Sequence, residues 1–489
     1  MQKPIRDYAI IGNLRSAALV GKDGSIDWLP CPYLDSPSVF AALLDEEKGG
    51  KWQIVPQGEY VSRQEYLNQT NILKTTFVTQ EGTAELIDYM PAKIGSGKQE
   101  DLEKAEIHRK LVCTKGICVV DVEFAPRFNY AQGETVLAQS EEGIVAIHEK
   151  TQKGVYLSPG EYLIDQGKAK AMLTLAQEEE AYFAFHYHPV TAQEQERAHY
   201  ERELQETAKF WNDWVHRCDL ANCPIAGPWH DLVVRSSLVL KILFFEPPGS
   251  IAAAPTTSLP ETFGGMRNWD YRFSWIRDSS FALQALVWMG YVKEARTYVQ
   301  WLLKECCSGI AQTPQNFQTV YGLRGEKKLQ EEILPHLEGY RNSKPVRIGN
   351  NAYLQKQWDI YGSMLDAVWR LYLLDPSYEI SQETWGILRG FANYAAHIWQ
   401  EPDEGLWEVR GGKQHFVYSK VMCWVALDRA LKIAKGYGFE GEVSAWETEK
   451  ERIKKEVFER GWSEEKQSFV QSFDSSNIDA SLLLLPIVG

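Results

Sequence analysis

From Tyr8 to about Pro189 apolar and polar positions alternate in short runs, among them "GSIDWLPCPYL", "NILKTTFVTQEGTAELIDYMPA", "HRKLVCTKGICVVDVEFAP", "GIVAIHEK" and "AYFAFHYHP". Gly, Pro or Asp punctuates them every 8 to 15 residues or about that, which predicts an antiparallel β-sandwich over residues 1–190. At Thr191 the pattern changes to "TAQEQERAHYERELQETAKFWNDWVHRC", charged and without alternation, which predicts a solvent-facing linker helix within 191–226. Beyond Gly227 the apolar spacing is helical almost throughout, as in "SSFALQALVWMGYVKEARTYVQWLLKEC", "WDIYGSMLDAVWRLYLL" and "YSKVMCWVALDRALKIA". Residues 227–489 therefore read as a helical domain, and pairs of helices recurring every 50 to 60 residues or about that suit a ring of hairpins. Long Gly-, Pro- and aromatic-rich loops, Pro247–Asn268 and Gln312–Asn351, interrupt it, and loops of that length in a compact domain usually carry function.

Composition narrows the class of partner. The chain has 489 residues, 44% hydrophobic and 24% charged, enough for two or three domains with sizeable cores. A formal charge of −14 argues against nucleic acid and anionic membranes as partners, because those require clustered Lys and Arg. The N-terminus has no apolar run followed by a cleavage site, and no stretch approaches the roughly 20 apolar residues of a membrane span, so the expected location is cytoplasmic. Eight cysteines without zinc-type pairs read as buried free thiols. His186 and His188 in "FHYHP" share one face of a strand but lack a third ligand, and read as strand surface. No metal or cofactor is expected. Seventeen tryptophans, 23 tyrosines and 19 phenylalanines can line a cavity with flat faces as well as fill cores.

Two segments concentrate the chemistry: "NWDYRFSWIRDSSFALQALVWMG" and "EPDEGLWEVRGGKQHFVYSKVMCWVALDRAL". Each sets charged residues beside tryptophan just ahead of an apolar helical pattern, a combination suited to sugar. Asp278 is also well placed to cap the helix that follows. Glu408 lies beside Trp407 in a Gly-flanked loop, where apolar surroundings would hold its carboxyl protonated.

Five motifs, in chain order, resemble those of glycoside hydrolase family 15: "GNLRSAALVGKDGSIDWLPCPYLDSPSVFAALLD", "NWDYRFSWIRDSSFALQAL", "LEGYRNSKPVRIGNNAYLQKQWDIYGSMLDA", "GLWEVRGGKQHFVYSKVMCWVALDRAL" and "NIDASLLLLP". The resemblance covers essentially the whole chain. It implies a β-sandwich followed by an (α/α)6 barrel, a six-hairpin toroid, and inverting exo-hydrolysis of an α-glucan, maltooligosaccharide or trehalose. It makes Glu408 the general acid and Arg277 and Asp278 the clamp on the terminal glucose. Tyr340, Arg341, Trp407 and Trp275 would line the sugar pocket, while Lys420 reads as surface lysine that could reach it. An inverting hydrolase needs a second carboxylate as base. In the family that glutamate lies beyond the "DASLLLLP" motif, so the resemblance implies a base not present in this chain and a barrel lacking its C-terminal part. The sequence pattern shows about eight barrel helices of twelve. The expected consequences are exposed leucines, association into a homo-oligomer or with a separate C-terminal segment, and no turnover by the chain alone. A phosphorylase using inorganic phosphate and an inactive carbohydrate-binding protein remain as alternatives.

Overall fold

The computed structural model describes residues 2–92, 105–140, 143–149, 154–157, 161–187, 196–215, 223, 227–246, 248–375 and 377–488. The chain divides into two compact units: Met1–Pro247 with Ala254–Arg272 and Glu332–Ile348, and Pro248–Ala253 with Phe273–Glu331 and Gly349–Gly489.

The first unit is built on antiparallel strands that share one long member, Glu106–Ala125. Its first half pairs with Gly82–Tyr89 and Glu180–His186, and its second half with Lys51–Pro56 and Lys168–Ala176. One strand thus serves two layers, and their facing residues, including Trp52, Ile54, Phe77, Leu86, Leu111 and Phe124, form a single core. The alternation read in the sequence follows from this one-sided burial. Arg109 is buried in that core. Its Nε donates to Asp88 at 2.7 Å, and Nη1 and Nη2 donate to the carbonyls of Trp52 and Gly24, so the guanidinium joins the two layers. A buried charge is tolerable only when its donors are satisfied in this way.

Three expectations change here. Helix α1 (Arg197–Val215) is not wholly solvent-facing: Tyr200, Glu203, Thr207, Trp211 and Trp214 form a buried stripe at helical spacing, which the dense charge on its other faces hides in the sequence. His186 is not strand surface but buried, because Glu180–His186 pairs as an inner strand; His188 lies outside the described residues. Helix α2 (His230–Leu243) belongs to the first unit, so compaction does not divide the chain at residue 227. The reason is close packing on strand Tyr8–Gly12, where a Cβ on Gly12 would come within 2.6 Å of Ile242.

The second unit consists of helical hairpins: α3 (Ile276–Trp288) with α4 (Val292–Trp301), α5 (Asp359–Leu374) with α6 (Gln382–Ile398), and α7 (Val417–Tyr437) with α8 (Val443–Arg460). Helices α3, α5 and α7 pack successively on one another, with α4, α6 and α8 behind them. Helices α5 and α7 are buried over most of their circumference, whereas α8 buries only Trp446, Ile453 and Val457. That is the contrast expected between an inner and an outer layer. Gly362 sets the approach of α5 to α7, since a Cβ there would lie 2.1 Å from the Met422 carbonyl oxygen. Among the described residues of 227–489, seven helices reach ten residues or more, against the eight or so expected. "SLLLLPIV" forms a 3-10 turn and a four-residue helix, leaving Leu483 and Ile487 exposed. The seven described cysteines are buried and free, and no helix among the described residues is long and apolar enough to cross a membrane.

Candidate active site

The second unit gathers Asp278 and Glu408, one from each chemical segment, around the Arg277 guanidinium. Trp275 is extended and pairs with Val320, and the Ile276 amide donates to Thr319, so the backbone turns into α3 at a fixed point. Arg277 and Asp278 follow in its first turn. Asp278 is therefore not the cap, a position that Trp275 occupies without a side-chain hydrogen bond. An acidic residue in that turn still complements the helix dipole.

Arg277 is buried. Its Nη1 donates to Gln357 Oε1 at 2.7 Å and to Asp359 Oδ2 at 3.2 Å, and its Nη2 lies 3.7 Å from Glu408 Oε1 and 3.8 Å from Asp278 Oδ2. Burial alone would lower the Arg277 pKa, but Asp359, then Asp278 and Glu408, outweigh it and hold the cation firmly charged. Asp359, at the start of α5, is fully buried, whereas Asp278 is about half exposed. Neither Gln357 nor Asp359 stands out by composition. The signal for Asp359 is the string "QWDIYG", a Trp and an acid at a helix start, which parallels "WIRDSS".

Glu408 reaches this cluster from the loop between α6 and α7. Asp403 and Gln414 pair across the mouth of that loop, and a tight turn at Gly405 points it inward; a Cβ on Gly405 would meet the Phe416 ring at 2.5 Å. Glu408 has a φ of 55°, a conformation that costs a non-glycine residue about 1–3 kcal/mol and concentrates at functional positions. Trp275 Nε1 donates to its Oε1, and Gln355 donates to its backbone carbonyl. Burial pushes the Glu408 carboxyl above the usual range, with Arg277 and the Trp275 hydrogen bond pulling it partly back.

Beneath the loop, Asp403 Oδ2 accepts from the Trp358 amide at 3.0 Å and from Ser419 Oγ at 2.7 Å, tying the loop to the starts of α5 and α7. Lys420 is fully buried rather than at the surface, and donates to the Glu401 carbonyl. Burial pushes Asp403 from 3.8 up to about 7. A carboxyl whose folded pKa is raised contributes stability that is fully present below its unfolded pKa and is lost as pH rises through the folded one, here between about 4 and 7. At 1.36 kcal/mol per unit the loss is roughly 4 kcal/mol. Asp403→Asn keeps an oxygen for both donors and removes the titration. Its stability, measured by urea unfolding at pH 4 and at pH 7.5, should fall less across that interval than the wild type's.

The remaining predicted residues are placed differently. The Trp407 ring is 46% exposed beside Glu408, its Nε1 donating to Asp479 Oδ2 at 2.7 Å. Tyr340 and Arg341 fall in the first unit. Tyr340 is buried in a small core with Trp28 and Leu337 and its hydroxyl donates to the Lys3 carbonyl at 2.8 Å, while the Arg341 guanidinium lies over the Phe263 ring.

The profile of glycosyl hydrolases family 15 matches residues 227–489, and that of a trehalase-like N-terminal domain matches residues 1–211. A trehalase of Thermoplasma volcanium is 34% identical over 495 residues, covering 99% of this chain and 75% of the relative. A trehalase of Mycolicibacterium smegmatis is 36% identical over 513 residues, covering 98% and 73%. A bacterial glucoamylase complexed with acarbose superposes with a TM-score of 0.65 over 98% of this chain and 71% of its own, at 12% identity, a likeness of fold. The chain thus spans about three quarters of the length of the two trehalases, 75% and 73%. A matching profile over residues 227–489, together with relatives 34% and 36% identical over nearly all of this chain, makes this chain a member of glycosyl hydrolases family 15, a glycoside hydrolase.

Proposed function

We propose that the chain hydrolyses α,α-trehalose with inversion at one anomeric carbon. The observation that carries this reading is the Glu408 carboxyl: held by Trp275, buried enough for its pKa to rise, and set beside a cation and the half-exposed carboxylate of Asp278. A carboxyl whose pKa is raised by burial is suited to general acid catalysis. Glu408 gives its proton to the bridging oxygen as the bond to the anomeric carbon breaks, a water adds to that carbon from the opposite face, and the proton that the water loses goes to a base that this reading assigns to no residue of this chain. Asp278 and Arg277 hydrogen-bond the hydroxyls of the terminal glucose, and the Trp407 face stacks on a ring. Trehalose is preferred among α-glucosides because the similar curated proteins named above are trehalases.

The anomers formed first test this. Both anomeric carbons of trehalose are α. Inversion at one of them releases equal amounts of α- and β-glucose, whereas retention releases only α-glucose. Proton NMR within the first minutes should show both anomers in a 1:1 ratio. Only α-glucose would overturn inversion, and no glucose would overturn hydrolysis by this chain. Glucose 1-phosphate appearing only with inorganic phosphate would instead establish a phosphorylase.

A further inference from the structure

The first unit holds a second cluster of chemically capable side chains, away from any role assigned above. Glu106 and His108 are two residues apart at the start of the long strand, and His186 is paired directly opposite Glu106 on the neighbouring strand. One donor atom from each lies within 4.8 Å of the others. Glu106 Oε2 is 3.1 Å from His108 Nε2 and 3.8 Å from His186 Nδ1.

The hydrogen bonds around His108 decide what can occupy this space. The Tyr89 hydroxyl donates its proton to the Tyr200 carbonyl at 2.8 Å. It can therefore only accept from His108 Nδ1, 3.1 Å away, which puts the His108 proton on Nδ1 and leaves a lone pair on Nε2. That lone pair faces a carboxylate oxygen at 3.1 Å. Two acceptors at such a distance need a positive species between them, a proton or a metal ion. A metal-bound imidazole characteristically donates its other N–H to a fixed acceptor, the part that Tyr89 plays here. A second imidazole at the same oxygen supplies a third ligand, which a lone proton would not need. Glu203 and His199, one turn apart on α1, add a further carboxylate and imidazole nearby.

We infer that Glu106, His108 and His186 form a binding site for a divalent transition metal ion, with zinc the best match. Two imidazoles and one carboxylate suit zinc in donor type. Tetrahedral bonds of about 2.1 Å set ligand atoms about 3.4 Å apart, so the 3.1 Å pair would open slightly, the 3.8 Å pair would close, and the remaining separation, within 4.8 Å, would settle to the same value. Glu106, 14% exposed beside histidines that are 1% exposed, provides the route from solvent. The ion would clip the long strand to its neighbour, stabilising the unit rather than taking part in sugar chemistry.

The test uses the untagged full-length chain, stripped with a chelator and titrated with ZnCl2 by calorimetry and with CoCl2 by visible absorption. One Zn2+ per chain, a rise in melting temperature and the intense d–d bands of four-coordinate Co2+ are expected. Tyr89→Phe should weaken binding about 10- to 100-fold by freeing the His108 ring, and His186→Gln should weaken it at least as much. Circular dichroism melts confirm that each variant is folded. Absence of stoichiometric Zn2+ binding by the wild type overturns the site, as does binding of unchanged affinity in folded His186→Gln.

Discussion

Glu408→Gln is expected to lower kcat on trehalose by at least about 100-fold, the scale associated with loss of a general acid. The substitution preserves shape and leaves an oxygen to accept from Trp275 Nε1, so trehalose affinity, measured by calorimetry, should change little. The wild-type pH profile should carry the same signature. A general acid works while protonated, so kcat/KM should fall as pH rises through a pKa above the ordinary glutamate value, the direction in which burial moves Glu408. Full activity in the Gln variant, or a kcat/KM limb that falls only at the unperturbed glutamate value, would remove Glu408 from this role.

Arg277→Met should be the most destabilising of these changes. It leaves Asp359, fully buried, without the cation 3.2 Å away, and breaking one side of a buried pair typically costs about 3–5 kcal/mol. Two carboxylates, Glu408 and Asp278, lose the same charge. Stability should partly return in Arg277→Met/Asp359→Asn, because the orphaned charge is then gone. Activity should not return, because the guanidinium that faces Glu408 and Asp278 is still missing. Urea midpoints of the wild type, both single variants and the double variant measure the coupling. Additive effects would show that the pair acts independently.

Much of the site was legible along the chain because its parts carry local signals. "SWIRDSS" and "GLWEVRGG" each pair tryptophan with charge ahead of a helix, and the structure brings Trp275, Arg277, Asp278 and Glu408 together. Asp359 and Asp403 carry no individual signal, since a buried carboxylate looks in sequence like any acid near a helix start, and Gln357, a neutral amide that accepts from Arg277, carries none either. Lys420 was misjudged for the same reason: lysine is usually exposed, and only packing shows that a carbonyl, here that of Glu401, receives its ammonium.

What the sequence determined by itself is whatever depends on near neighbours along the chain: strand alternation before residue 190, helical spacing after 227, and the motif order that marks the family. Burial of one face imposes a period of two on a strand and 3.6 on a helix, so those patterns are written locally. The tertiary structure alone decided which segments pack with which. It assigned α2, Tyr340 and Arg341 to the first unit and buried a stripe of the charged helix α1. It also set Glu106 and His108 against His186, nearly eighty residues on, through strand pairing that no local pattern encodes. The physical reason is common to all of these: register and packing partners are chosen by long-range burial, which local spacing makes possible but does not specify.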